Sequence, residues 1–275
     1  MEKVLIAIIF ILFILLIISI VICYIKIDIS TFNIKNTKID KNIKIVFLSD
    51  LHNRNIHKKI IKIISEIKPD IIICGGDMVN GGYNRCNSFF KLINSLNEYK
   101  IYYTYGNHEE KICENDDKEY EYFNKKVSKY GVILLNNDSI KLSNNIKLYG
   151  FNPDINCYGS FGKTCLNSEI ISNNIGKLNT NNFNILISHN PLEFNSYVEF
   201  NADLVLCGHI HGGAIKIFKR GLLSPDITFF PKYFEGIYKR NNTSMIVSRG
   251  LGFSSKLPFR INNNPEVVVI NLKNK

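Results

Sequence analysis

Five of the six histidines in this 275-residue chain fall within an ordered set of five short motifs, each directly after an apolar run. The motifs are Asp50-Leu51-His52, Gly76-Asp77, Gly106-Asn107-His108-Glu109, Ser188-His189 and Gly208-His209-Ile210-His211. The runs before them, Ile43 to Leu48, Ile71 to Cys74, Ile101 to Tyr105, Phe183 to Ile187 and Leu204 to Cys207, read as buried strands. Open α/β sheets build their sites at such strand ends.

Beside His108 the set offers two carboxylates, one amide and four imidazoles, enough for two metal ions. Alternate side chains of an extended segment point the same way, so Asp50 and His52 can face one ion together, as can His209 and His211. Glycines before Asp77, Asn107 and His209 permit sharp turns and close backbone approach. Nitrogen and oxygen donors without thiolate favour Mn, Fe or Zn over copper(I) or an iron–sulfur cluster.

Charge then points to the substrate. Two divalent ions outweigh Asp50, Asp77 and one bound hydroxide, which leaves a net positive site that attracts an anion. A paired-metal centre acidifies a bridging water and holds a phosphoryl oxygen, so phosphoester hydrolysis is the natural reaction. His108 would stabilise or protonate the leaving oxygen.

With these residues in order, the chain resembles a calcineurin-like metallophosphoesterase, whose pattern is D-x-H, G-D, G-N-H-[DE], H and G-H-x-H. The match runs from about Ile43 to Leu272. The resemblance implies one metal held by Asp50, His52, Asp77 and His211, and a second held by Asp77, Asn107, His189 and His209. Asp77 would bridge the ions, and His108 would lie near the leaving group without binding metal.

Ser188-His189-Asn190-Pro191, Gly208 to Gly213, Ser248-Arg249-Gly250-Leu251-Gly252 and the tail Pro258-Phe259-Arg260 to Pro265-Glu266 resemble the membrane-anchored bacterial branch of that family. This branch includes enzymes that cleave the pyrophosphate of UDP-2,3-diacylglucosamine. The chain departs from the pattern at Gly150-Phe151-Asn152-Pro153-Asp154, where relatives often carry Gly-x-Asp-Asp, and at Glu109, where many have Asp. Both departures bear on substrate choice rather than metal binding.

Taken singly, an Asp-x-His or a Gly-Asp is commonplace, and only the ordered set carries meaning. His57 opens an amphipathic stretch and reads as a solvated first-turn residue. Cys74 and Cys207 read as small apolar core residues. Arg249 and Arg260 are candidates to meet substrate phosphate, with structural pairing to a carboxylate as the alternative.

Val4 to Ile25 is an uncharged run between Lys3 and Lys26. As a helix it measures roughly 33 Å, enough for a bilayer core of about 30 Å. It exceeds a usual signal h-region, no small-residue cleavage site follows, and Ile22 before Cys23 argues against a lipoprotein signal. Residues 1–30 are therefore expected to form a single-pass membrane anchor, 31–42 a linker and 43–275 the metallophosphoesterase domain. Lys26, Lys35, Lys38, Lys41 and Lys44 follow the run against Lys3 before it, which favours a cytoplasmic domain. Six cysteines beyond the run, with no disulfide framework, fit a reducing compartment.

Ile60, Ile61, Ile63, Ile64 and Ile67 form a helical stripe, and Cys86 to Asn97 reads as another helix. Beyond His211 the chain turns strand-rich, with candidates at Ala214 to Phe218, Glu235 to Lys239, Met245 to Ser248 and Glu266 to Leu272. The expectation is an α/β fold, a two-sheet β-sandwich flanked by helices, in one domain. The net charge of +10 is spread through the chain with no basic stripe, so no nucleic acid is expected. Diffuse positive charge beside an anchor suits anionic lipid headgroups, and the sequence implies no protein partner.

The expected activity is thus that of a membrane-anchored dinuclear-metal phosphoesterase acting on a phosphodiester or pyrophosphate of a lipid-linked or envelope-precursor substrate. The alternative is a phosphatase or phosphodiesterase for soluble substrates. A non-catalytic membrane scaffold would be marked by missing ligands, and none is missing.

Overall fold

Strand β2 (Ile43–Leu48) is apolar on both faces, and each face meets a different layer. Ile45 and Phe47 pack with Ile185, Leu206, Ile246 and Val268. Val46 and Leu48 pack instead with Ile60, Ile64, Phe89 and Leu92. Side chains alternate along a strand, so a strand buried on both faces needs two covering layers. The computed structural model describes residues 1–81, 85–115, 117–158, 165–225, 227–254 and 257–275, and it supplies both layers.

Two six-stranded sheets stack face to face. In the first, β2, β3 (Ile71–Gly75), β4 (Lys100–Thr104) and β5 (Ile133–Leu134) run parallel. Its other edge is β14 (Glu266–Lys273), antiparallel to β2, followed by β1 (Asp28–Lys35), parallel to β14. In the second, β7 (Ile146–Gly150), β8 (Phe183–Ile187), β9 (Leu204–Cys207) and β13 (Thr243–Val247) are parallel. Antiparallel edges β6 (Asp138–Lys141) and β12 (Gly236–Arg240) close that sheet.

Helices α2 (His57–Ile67), α3 (Asn87–Ser95) and α5 (Asp117–Lys129) cover the first sheet through Ile60, Phe89 and Phe123. Helices α6 (Ser168–Ile175) and α7 (Phe194–Glu199) cover the second through Ile171, Ile175, Phe194 and Tyr197. This is the α/β two-sheet sandwich flanked by helices that the sequence leads one to expect.

The structure corrects two expected boundaries. Helix α1 spans Glu2–Ile25, and residues 28–35, placed partly in the anchor and partly in a linker, form β1. Every second side chain of β1 is half-buried, and Phe32 and Ile34 reach the core between the sheets. The short β5, β6 and β7 and the helix α4 (Asn107–Asn115) have weak periodicity and were not expected. The cysteine reading also changes: Cys157 and Cys165 are joined by a disulfide. Cys74 and Cys207 are buried free thiols, as expected of core residues.

Candidate metal centre

All five motifs lie just beyond the C-terminal ends of β2, β3, β4, β8 and β9, so parallel packing brings them to one edge of the sandwich. The backbone there is not extended. Asp50, His52, Asp77, His209 and His211 have φ of 51°, 46°, 53°, 71° and 53°, a left-handed conformation uncommon for side-chain-bearing residues. The pairs Asp50/His52 and His209/His211 therefore converge through tight turns, correcting the strand-alternation argument. Such strain persists only where surrounding structure enforces it, and it concentrates at functional sites.

Backbone hydrogen bonds lock the turns together. Asp50 N donates to Gly76 O at 3.0 Å, and His52 N donates to Asp77 O at 3.0 Å. His209 N donates to Asp50 Oδ1 at 3.0 Å, and His108 N donates to Asp77 Oδ1 at 2.8 Å. A methyl group at Gly106 would overlap Asp77 Oδ1, and one at Gly208 would overlap Asp50 Oδ2. Only glycine allows these approaches.

Buried donors gather in two main groups, Asp50 with His52 and His211, and Asp77 with His189 and His209, the donor atoms of each group lying within 4.8 Å of one another. A third grouping, His52 with Asp77 and His108, meets the same limit. Nε2 of His52 and Nε2 of His211 face each other at 3.0 Å. His189 Nδ1 lies 2.7 Å from Gly75 O, so Nδ1 carries a proton and Nε2 faces Asp77 Oδ2 at 3.2 Å and Asp50 Oδ1 at 3.5 Å. A carbonyl fixing the tautomer in this way is typical behind a metal-binding imidazole.

The residues fit divalent ions. Asp50 Oδ2 and Asn107 Oδ1 are buried acceptors with no hydrogen-bond partner among the described residues, a costly state that a cation relieves. Burial pushes His52 down to about 3. It also drives His211 well below the usual histidine range, with the His52 and Arg260 charges adding to the effect. Both are thus neutral at pH 7 and free to donate a lone pair. At His189 burial disfavours charge, but Asp77 and Asp50 outweigh it and raise the imidazole to about 10.

His108 is half-buried, its ring centroid 4.7 Å from that of His52. His57 is the first residue of α2, as expected.

The two arginines are placed otherwise than as phosphate ligands. Arg260 is 1% exposed. Its guanidinium donates to the carbonyls of Gly252, His211 and Arg249 and meets His211 Nδ1 at 3.0 Å, so it braces the loop of His211 from a buried position. Arg249 pairs with Glu266 at 2.9 Å, Asp28 at 3.4 Å and Glu235 at 3.5 Å. That is the carboxylate pairing named as the alternative.

Two residues emerge that sequence reasoning left without a role. Glu109 is buried and accepts from the backbone N–H groups of Asp77, Met78, Val79 and Gly106 at 2.8, 2.8, 3.2 and 2.9 Å. Burial raises its carboxyl to about 7, with the Asp77 charge adding to the effect, while the four amides favour the anion. The spacing is readable: a Glu at the third position of a helix reaching back to the N-cap amide is half of a capping box. Tyr158 places its ring 5.2 Å from His209, with a buried hydroxyl that has no hydrogen-bond partner among the described residues. No local signal marks it.

Glu109→Ala leaves those amides without their shared acceptor, at a cost on the order of 3 kcal/mol. Thermal unfolding should then fall by roughly 6–12 °C. An unchanged melting temperature would show that Glu109 does not hold the turn.

Residues 43–213 match the family model for calcineurin-like phosphoesterases. Similar curated proteins include the uncharacterized protein YpbG of Bacillus subtilis, 28% identical with 88% of this chain and 85% of that protein covered. An uncharacterized metallophosphoesterase of Helicobacter pylori is also 28% identical, with 86% of this chain covered; the chain spans 61% of that relative's length. Among solved structures, TT1561 of Thermus thermophilus is similar with a TM-score of 0.49 and 10% identity, covering 77% of this chain and 92% of that one. The chain belongs to the calcineurin-like phosphoesterase family.

Proposed function

We propose that this protein is a membrane-anchored phosphoesterase with two metal ions, acting on a phosphodiester or pyrophosphate bond of a lipid-linked substrate. The observation that carries the two-ion reading is the gathering of two donor groups, one around Asp50 and one around Asp77, together with a buried, unpartnered oxygen on each of Asp50 and Asn107. Asp50, His52, Asp77 and His211 would hold one ion, and Asp77, Asn107, His189 and His209 the other. Mn, Fe or Zn suits these donors. Such a pair supplies an acidified water and a positive seat for phosphoryl oxygens.

The chain's own residues do the rest. Asp77 joins the two halves and keeps His189 oriented. Gly75 O holds the His189 tautomer, and Arg260 with Asn263 fixes the loop of His211. His108, on the first turn of α4 and half-exposed, gives its proton to the leaving oxygen. Tyr158 offers a hydroxyl donor beside the histidines.

Helix α1 supports the membrane reading: it is long and apolar enough to cross a bilayer, and it is exposed from Glu2 to Ile18. The disulfide between Cys157 and Cys165 supports an oxidising compartment for the domain. This stands against the cytoplasmic placement expected from the lysines. Flanking charge biases insertion and can be overridden by a large domain, whereas a disulfide reflects where the domain resides, so we place the domain on the oxidising face.

Full-length protein in vesicles with Mn should hydrolyse phosphodiester or pyrophosphate lipids of the same bilayer, and faster than soluble aryl phosphodiesters. Turnover confined to soluble esters would favour the soluble-substrate reading. In intact cells, an impermeant protease should digest the domain; protection would restore the cytoplasmic placement.

A further inference from the structure

Helix α1 does not leave the domain at its last residue. Ser19, Ile20 and Cys23, on one helical face, are its less exposed positions. Ser19 Oγ donates to Asn262 Oδ1 at 3.0 Å and accepts from Asn262 N at 2.8 Å, while Asn263 N approaches Cys23 Sγ at 3.4 Å. Asn263 Nδ2 donates in turn to His211 O at 2.7 Å. Tyr24 stacks on Phe253, and Arg54, two residues after His52, lies over both rings. The last two turns of α1 are therefore fastened to the rim of the metal centre.

This docking fixes a level. The free part of the run, Val4 to Ile18, is about 22 Å long as a helix, short of a hydrocarbon core of about 30 Å. The remainder falls on the docked turns, so the surface beside Ser19 sits within the edge of the bilayer. Ile261, next to Asn262, pairs with β10 (Ile215–Ile217): Ile261 N donates to Ala214 O at 3.1 Å, and Lys216 N donates to Ile261 O at 3.0 Å. The hairpin of β10 and β11 (Arg220–Leu223) thus rises from that level, immediately after His211 in the chain.

Its surface is unlike the rest of the domain. Among the described residues outside α1, the large apolar side chains more than half exposed are Phe218 at 97%, Ile227 at 59%, Phe229 at 65% and Phe230 at 68%. All four lie on this unit, because Leu223 bridges Phe229 and Phe230 N donates to Leu222 O at 3.0 Å. Phe218, Ile227 and Phe230 have φ of 48°, 60° and 50°, an unfavourable backbone for bulky residues. Exposed Lys219 and Arg220 follow Phe218, and Lys232 follows Phe230 closely. Aromatic and aliphatic tips flanked by cations are the composition of an interfacial membrane contact.

We propose that the β10–β11 hairpin, with Ile227, Phe229 and Phe230, inserts into the headgroup–acyl boundary of the bilayer that α1 crosses, holding the metal centre at the lipid surface. The proposal rests on the anchor reading of α1. It commits to a bilayer over a second copy of the chain because the patch is continuous with the docked anchor and its flanking charges are cationic.

The test uses full-length protein in vesicles containing anionic lipid, with single cysteines introduced by Phe218→Cys, Ile14→Cys and Glu121→Cys. Each carries a polarity-sensitive dye, and the unsubstituted chain serves as labelling blank. Lipids bearing a quencher near the headgroup end of the acyl chain report contact. Dye at position 218 should shift to shorter wavelength and lose emission to the lipid quencher, and dye at 121 should do neither. Quenching at 14 without quenching at 218 overturns the hairpin contact and leaves the anchor standing. Quenching at neither position overturns both. Dye at 218 shielded from a water-borne quencher but untouched by the lipid-borne one would mean a protein interface and overturn the proposal.

Discussion

Asp77→Asn is expected to empty both halves of the metal centre and to abolish phosphoester hydrolysis while the fold survives. Asp77 Oδ2 lies 3.2 Å from His189 Nε2 and 3.8 Å from His52 Nε2, so one carboxylate addresses donors of both groups. Loss of an outer partner of a ligand costs roughly 10- to 100-fold in metal affinity. Removing a charge shared by two coordination spheres should cost more, and in both at once. Elemental analysis after exhaustive dialysis checks this. Full retention of two ions would mean that Asp77 does not join them, and loss of a single ion would confine it to one sphere.

His108→Ala should lower turnover by about 10²- to 10⁴-fold with metal content near that of the parent. The effect should shrink for esters with acidic leaving groups, which need no proton. The case is sharper than sequence alone made it, because His108 shares a 4.8 Å donor grouping with His52 and Asp77 and so has the reach of a ligand. The leaving-group role proposed for it is therefore separated from a ligand role by metal content and by leaving-group dependence. Metal lost together with the imidazole would reverse that assignment, as would equal slowing of good and poor leaving groups.

How much of this was legible in the sequence depends on the range of each interaction. The five motif strands are short apolar runs ended by glycine or polar residues, and β2, β8 and β9 have the expected limits. The isoleucine stripe of α2 was equally readable. Strand β1 was not: its outward side chains are polar or exposed, and only pairing with β14, more than 200 residues away, makes it a strand. The donor set was legible as residue types in order, yet its geometry was not, since left-handed turns at Asp50, His52, His209 and His211 replace the extended segments that side-chain alternation suggested. The arginines show the same limit. Whether Arg249 meets phosphate or carboxylate is decided by Asp28, Glu235 and Glu266, and no local pattern brings those three together.

A two-ion hydrolytic centre at these strand ends should show a characteristic metal titration. Metal-stripped full-length protein should be titrated with Mn while hydrolysis of an aryl phosphodiester and bound metal are followed in the same sample. Activity should stay low through the first equivalent, rise with the second and level off at two ions per chain. Full activity at one ion, or two bound ions without hydrolysis of any phosphoester, would contradict the account.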